Sequence, residues 1–296
     1  MYVFMLSIII PALNEEEYIP NLLNCLSNQT FKDFEVIVVD ANSEDNTKIV
    51  TSKFRKQLKI KVLDAKIRNV SYQRNLGLKN AKNEMVLFLD ADTIFENDFL
   101  ENALNEIKTR NLILTGCYVY PDSLNLIDIF FFAGYRVFLR IFYKRIGFNG
   151  CCVFTLKSLH KKINGFDETI KVSEDFDYVR RLKKFTKINL LKTVKVKTSV
   201  RRFQKNGRLR TGIKILLIGF YTLFFGKITT DIFKYRFNDN IFVKKLNQKD
   251  DNSYFGKNLK MANNITKNEK DSEKNYSKNV AKKLWNNKED DVWDKL

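Results

Sequence analysis

The sequence predicts an α/β protein built on a mostly parallel central sheet flanked by helices, and three observations carry that prediction. Short β-branched runs alternate with helical patterns through the first half of the chain. The strand runs are unbroken apolar stretches rather than alternating ones, as strands buried on both faces require. Each run ends in a polar turn, which gathers reactive groups at the C-terminal ends of the strands, where such sheets take their ligands.

The elements follow in order. "LSIIIPAL" (6–13) reads as the first buried strand, and "YIPNLLNCL" after it puts Tyr18, Leu22 and Leu26 on one helical face, with Pro20 suited to a first turn. "FEVIVVD" (34–40) repeats the strand signal, and "ANSEDNT" is a turn entering a helix through a Ser, Asp or Thr cap. "KIKVLDA" (59–65), a helix around 69–82, the strand "EMVLFLD" (84–90) and a helix from about 97 to 110 complete the repeating half. Pro11–Asn14, Asp40 and Asp90–Asp92 then fall on one sheet edge.

At 296 residues and 44% hydrophobic content the chain can form one large domain or two small ones around a real core. The formal charge of +18 points to anionic partners, whether nucleotides, nucleic acid or a membrane surface. Cys25, Cys117, Cys151 and Cys152 have no CxxC spacing, so they read as reduced core residues rather than a zinc site or a disulfide framework. The N-terminus leads straight into a strand without a basic region before an apolar one, which places the expected protein on the cytosolic side. Neither GxGxxG nor GxxxxGK[ST] occurs, which leaves phosphate binding to a metal and to basic side chains.

The end of the "LFLDADT" run (87–93) sets two carboxylates, Asp90 and Asp92, one residue apart. On an extended chain they face the same way and repel. A polar turn explains a lone pair of this kind; a divalent cation, Mg²⁺ or Mn²⁺, explains one that shares its edge with Asp40 and Asn14.

"SIIIPALNEEEYIPNLL", "FEVIVVDANSEDNT", "RNVSYQRNLGLKNAKNEMVLFLDADT" and, further on, "GFDETIKVSEDFDYVRRL" together resemble a family 2 glycosyltransferase of the GT-A fold. The likeness is strong over residues 6 to 96 and continues through 165–182. It implies that Pro11, Ala12, Asn14 and Glu15 belong to the loop that holds a nucleotide-diphosphate sugar, and that Asp40 meets the base. Arg68 and Arg74 would border base and ribose, with a surface charge as the alternative for either. Asp90 would reach the ribose or the metal, and Asp92 would ligate the metal. Glu174 and Asp175 correspond to the acidic pair that carries the catalytic base, with Asp175 deprotonating the acceptor; alone they would read as acids at a helix N-terminus. Gly165 would permit a tight turn and Phe166 anchor it. Arg201 and Arg202 lie where a basic segment meets the diphosphate or acceptor. His160, the only histidine, is expected at the surface without a chemical role.

The expected activity is inverting transfer to a hydroxyl of a lipid-linked or polysaccharide acceptor at the cytosolic membrane face. No QxxRW motif is present, which favours single transfer over polymerisation. The alternatives are a polyprenyl-phosphate glycosyltransferase, whose acceptor needs no base, and a non-catalytic nucleotide-sugar or nucleic-acid binder. Against nucleic acid, the densest Phe content lies in apolar runs rather than among basic residues.

The 124–148 segment is Phe-rich with Arg136, Arg140 and Lys144 along one side, which reads equally as an interfacial membrane helix or as a helix packed on the core. "ILLIGFYTLFFG" (215–226) has twelve uncharged residues, short of the roughly 20 a span requires, so it reads as membrane-surface or acceptor-side, with a tilted span over 213–229 as the alternative. The expected organisation is a donor-binding half over 1–120, an acceptor-binding half over 121–205, an apolar membrane-associated segment over 206–243 and a charged, disordered tail over 244–296. The sequence does not define an oligomeric state.

Overall fold

In the computed structural model, which describes residues 5–170 and 172–225, the first half of the chain alternates as anticipated. The elements are β1 (Leu6–Ala12), α1 (Ile19–Ser27), β2 (Phe34–Asp40), α2 (Thr47–Ser52), β3 (Ile60–Asp64), α3 (Val70–Asn80) and β4 (Met85–Leu89). After them come β5 (Thr93–Ile94), α4 (Phe99–Thr109), β6 (Leu114–Pro121), α5 (Leu126–Ile146), β7 (Cys152–Leu156), α6 (Lys157–Lys162), α7 (Glu174–Leu182), β8 (Ile188–Thr198), α8 (Arg201–Asn206) and α9 (Arg208–Phe225).

The strands form one sheet in the order β3-β2-β1-β4-β7-β6-β8-β5. The β3-β2-β1-β4 half is parallel throughout. The β7 strand runs antiparallel to both β4 and β6, and β8 returns parallel to β6 with a bulge between Gly116 and Tyr118. Alternation along β1 sorts its side chains into two cores: Leu6, Ile8 and Ile10 pack with α1 and α4, while Ile9 faces the layer that contains Leu78 and Tyr178. Both faces are therefore covered, which is why these strands read as unbroken apolar runs.

Local chemistry sets the helix boundaries. Pro20 falls in the first turn of α1. The α2 cap differs from the expected Ser, Asp or Thr: Asn46 holds the position, while the Asp45 side chain accepts from the Thr47 amide at 3.0 Å. Asn69 caps α3 by accepting from the Tyr72 amide, and Asn125 does the same for α5 at Ile127. Gly165 has φ +73°, and Phe166 after it is buried and stacked on Tyr178 at 3.8 Å, so the glycine turn and its aromatic anchor lie together.

His160 departs from expectation. It is buried, its Nδ1 lies 2.9 Å from the Tyr178 hydroxyl, and burial with nearby Arg181 pushes its pKa down to about 4. Although α6 also carries Lys157, Lys161 and Lys162, His160 is its one buried side chain, and its ring lies against Phe166 and Tyr178. Cys117, Cys151 and Cys152 are buried free thiols and Cys25 is half-buried. The α9 helix ends the described part, so residues 226–243 of the expected apolar segment and the whole 244–296 tail lie outside the described residues. Among those described, no helix is long and apolar enough to cross a membrane.

Candidate active site

A cavity of about 740 Å³ opens at the C-terminal ends of β1 and β4 and is closed by α5, α8, α9 and the start of α7. Pro11, Ala12, Glu15, Arg68 and Arg74 line it, together with Asp90, Asp92, Glu174, Asp175, Arg201 and Arg202. Asn14 and Asp40 do not. Asp40 is buried and its carboxylate accepts from the Ser43 amide at 3.0 Å and from the Ser43 hydroxyl; that hydroxyl accepts in turn from the Asn14 amide at 2.9 Å. Asn14, at φ +54°, also accepts from the Glu44 amide. These two residues tie the loops after β1 and β2 to each other, behind the cavity wall.

The two acids after β4 come together through a turn rather than an extended chain. The Thr93 amide and hydroxyl both donate to the Asp90 carbonyl, at 3.2 and 2.8 Å, so the chain folds back at Asp90 and leaves both carboxylates facing the cavity. Burial raises the Asp92 pKa; Arg201 opposes the rise and Asp90 adds to it.

Two arginines organise the surrounding charge. Arg74 is not at the surface: it is 3% exposed and bridges β4 to α7, with Nη1 donating to Glu174 at 2.8 Å and Nη2 to Asp90 at 2.9 Å. Its guanidinium also packs over the Phe166 ring, which links it to the Gly165 turn. Arg201, from α8, donates twice to Glu15, at 2.7 and 2.6 Å, lies 3.5 Å from Asp92 and covers the Tyr18 ring. Arg68 pairs with Glu44 and the Asn42 carbonyl near the cavity mouth.

Asp175, at the start of α7, is held by amides. The Gly150 and Phe176 N–H groups donate to its carboxylate. Burial and then neighbouring Glu174 push its pKa up to about 7, against the lowering influence of Arg74 and the two amides.

Sequence reasoning missed several supporting residues. A Cβ at Gly150 would lie 2.7 Å from the Asp175 Cβ, so only glycine brings that amide so close. Buried Gln73 donates to the Ala12 and Val39 carbonyls at the ends of β1 and β2. Asn69 and Asn75 hold the 166–168 segment, Asn75 through the Phe166 amide and carbonyl. The available signal was the unusual run of amides in "RNVSYQRNLGLKN", on a helix whose buried face carries Ser71, Gln73 and Arg74.

A mixed, mostly parallel sheet with carboxylates and arginines gathered around the cavity at its strand ends defines the class: an α/β protein with a charged cavity where such sheets take their ligands. Residues 7–163 match the family model of glycosyl transferase family 2, and the chain belongs to that family. A poly(ribitol-phosphate) beta-N-acetylglucosaminyltransferase, TarS of Staphylococcus aureus, is 41% identical over 101 residues; the match takes in 33% of this chain and 18% of that protein's length. Residues 1–349 of TarS in complex with UDP-GlcNAc superpose with a TM-score of 0.56 at 23% identity, over 73% of this chain and 66% of that one. Mannosyltransferase PcManGT of Pyrobaculum calidifontis, in complex with GDP-Man and Mn²⁺, gives 0.59 at 20% identity, over 74% and 63%. The fold is thus the GT-A fold.

Proposed function

We propose that the chain is an inverting glycosyltransferase that moves a sugar from a nucleotide-diphosphate sugar to an acceptor hydroxyl, on a lipid-linked or polysaccharide acceptor at the cytosolic face of a membrane. One observation carries the reading: Asp90, Asp92 and Asp175 face the same cavity at the strand ends, with Asp175 near neutrality in pKa. The family match and the nucleotide-sugar complexes of the two structural neighbours support the donor class.

The residues fit a divalent cation that shares its ligands with a diphosphate. Asp90 and Asp92 supply hard oxygen donors, and burial with neighbouring Asp90 raises the Asp92 pKa despite Arg201 3.5 Å away, so a bound cation would stabilise its charged form. Among the described residues no cluster of three or more His, Cys, Asp or Glu could form a complete protein cage. Two carboxylates plus phosphate and water is a common Mg²⁺ arrangement. Bound there, Mg²⁺ or Mn²⁺ supplies charge stabilisation for the departing diphosphate.

In this reading Asp175 accepts the acceptor hydroxyl proton as that oxygen attacks the anomeric carbon. The carbon–oxygen bond to the diphosphate breaks, and one displacement inverts configuration. A pKa near 7 suits a general base at neutral pH, and the amides of Gly150 and Phe176 fix its orientation. A phosphate acceptor is already ionised and needs no base, so Asp175 favours a hydroxyl acceptor over a polyprenyl phosphate. Arg201 and Arg202 would meet the diphosphate, and the loop from Pro11 to Glu15, braced by Asn14 and Asp40, would hold the nucleotide with Arg68.

The test is calorimetric titration of UDP-, GDP- and dTDP-sugars with Mn²⁺, Mg²⁺ or EDTA. Cation-dependent binding of one donor class is expected. Absence of binding by all three donors in both metals would refute the reading.

A further inference from the structure

We propose that the acceptor is lipid-borne, a saccharide headgroup on a long aliphatic chain, drawn from an anionic bilayer on which α5 and α9 rest. The inference rests on the glycosyltransferase reading and names its second substrate.

The cavity has two chemically different ends. Around Glu15, Arg74, Asp90, Asp92 and Arg201 it is charged, whereas α5 and α9 line it with Phe131, Phe132, Tyr135, Ile215, Leu216 and Ile218. A saccharide needs donors and acceptors for its hydroxyls, and of these six side chains the Tyr135 hydroxyl alone offers one. Aromatic rings can cover the C–H face of a sugar, but three aliphatic side chains cannot orient one; they suit a hydrocarbon. Gly212 lies against the Phe131 ring and Gly219 near Phe138, so the two helices cross closely and both contribute to this wall.

The outer faces of the same helices are also apolar. Of the sixteen exposed large hydrophobic side chains among the described residues, eleven lie on α5 and α9, which concentrates them in one region rather than scattering them. Leu126, Phe130, Val137 and Ile141 on α5, and Leu209, Ile213, Leu217 and Phe224 on α9, are each more than half exposed. Charge complementarity selects the occupant. Arg140, Lys144, Arg145 and Arg210 are exposed on these helices. Asp128 is the one acid on either helix; it is fully buried and accepts from Arg208 at 3.1 Å. Apolar faces rimmed by cations without an exposed acid fit an anionic lipid surface. Among the described residues neither helix is long and apolar enough to cross it, and the exposed apolar faces with their rim of cations set the pair on the surface with the cavity's apolar end beside the lipid.

The test uses the full chain in two arms, with donor binding titrated in parallel. In the first, flotation is measured with vesicles of phosphatidylcholine alone or mixed with phosphatidylglycerol. Binding to the mixed vesicles is expected, and the exposed-face variant Ile141→Glu/Leu217→Glu should lose it at least tenfold. No binding to mixed vesicles, or equal binding to both, overturns the surface. In the second, butyl to octyl glucosides below their micelle concentrations are titrated by calorimetry. Affinity should rise by about fourfold per methylene, and Leu216→Asn, verified as folded by retained donor binding, should flatten the series. A series flat in the unmodified protein, or unchanged by Leu216→Asn, overturns the lipid-borne acceptor. If donor binding persists in that case, the glycosyltransferase reading stands; if the donor fails to bind while the series is steep, that reading and this acceptor fall together.

Discussion

The bridge through Arg74 is expected to be the most costly single contact to break in the site. The guanidinium is 3% exposed and the Glu174 carboxylate beside it is nearly as buried. Arg74→Met keeps much of the side-chain volume and the contact with Phe166 but leaves Glu174 charged, buried and unpaired. Removing one partner of such a pair costs roughly 3–5 kcal/mol, most of it the penalty on the orphaned charge. The contact to Asp90 adds little, because that carboxylate is 36% exposed and its pairing is worth about 0–1 kcal/mol. The double variant Arg74→Met/Glu174→Met removes the orphan and should return to within about 2 kcal/mol of the unmodified chain. Urea unfolding of the four proteins of the cycle measures this, with unchanged m-values showing that the unfolded reference is the same. At about 2–4 °C per kcal/mol for a domain of this size, Arg74→Met should also lower Tm by roughly 6–20 °C. A single variant within about 1 kcal/mol of the parent, or a double variant no better than Arg74→Met, would show that α7 is held by something else.

Asp175→Asn should reduce transfer to a hydroxyl acceptor by about 10²–10⁴-fold while donor affinity, titrated separately, changes little; near-normal turnover would return Asp175 to a helix-start acid. Because the base must be deprotonated and its pKa is pushed up to about 7, kcat/KM should climb with unit slope from acid pH and level off above that value. A profile flat from pH 5 to 8 would count against Asp175. Asp92→Asn should abolish the difference in donor affinity between Mn²⁺ and EDTA with the fold intact by circular dichroism, and a variant that still responds to Mn²⁺ sinks the metal assignment. Gly150→Val should displace the Asp175 carboxylate, since its Cβ would fall 2.7 Å from the Asp175 Cβ; a turnover loss of at least tenfold with donor affinity preserved is expected, and unimpaired turnover removes Gly150 from the site.

The fold was legible because its signals are local. Runs such as Leu6–Ala12 and Phe34–Asp40 are apolar without interruption, and a parallel sheet covered on both sides is the cheapest way to bury them. The turn at Asp90 and the position of Glu174 and Asp175 at a helix start were equally visible as short polar breaks. What could not be read was which polar groups face the cavity and which face each other. Asp40 and Asp92 look alike in sequence, yet one is consumed by the Ser43 turn and the other borders the cavity. Arg74 could have been a surface charge; its partner Glu174 lies 100 residues away, and no local pattern announces a pairing of that separation. His160 failed for the same reason, since burial comes from Tyr178 and Phe166 rather than from its own basic neighbours.

The distribution of ion pairs separates the acids by role. Asp90 and Glu174 share Arg74, while Asp92 and Glu15 share Arg201, so each of these four carboxylates has a cation within 4 Å. A contacting cation pulls a carboxylate toward its charged form, although at Asp92 and Glu15 burial outweighs that pull and raises the pKa. Asp175 makes no such pair among the described residues and is held by two amide N–H groups, which orient a carboxylate without neutralising it. Burial then works unopposed by a contacting cation and lifts its pKa toward 7, although Arg74 is close enough to limit the rise. If the site were built only to bind an anion, an arginine against Asp175 would be the less costly arrangement. Leaving a buried carboxylate without its own cation costs stability, and the return on that cost is a group able to take a proton at neutral pH.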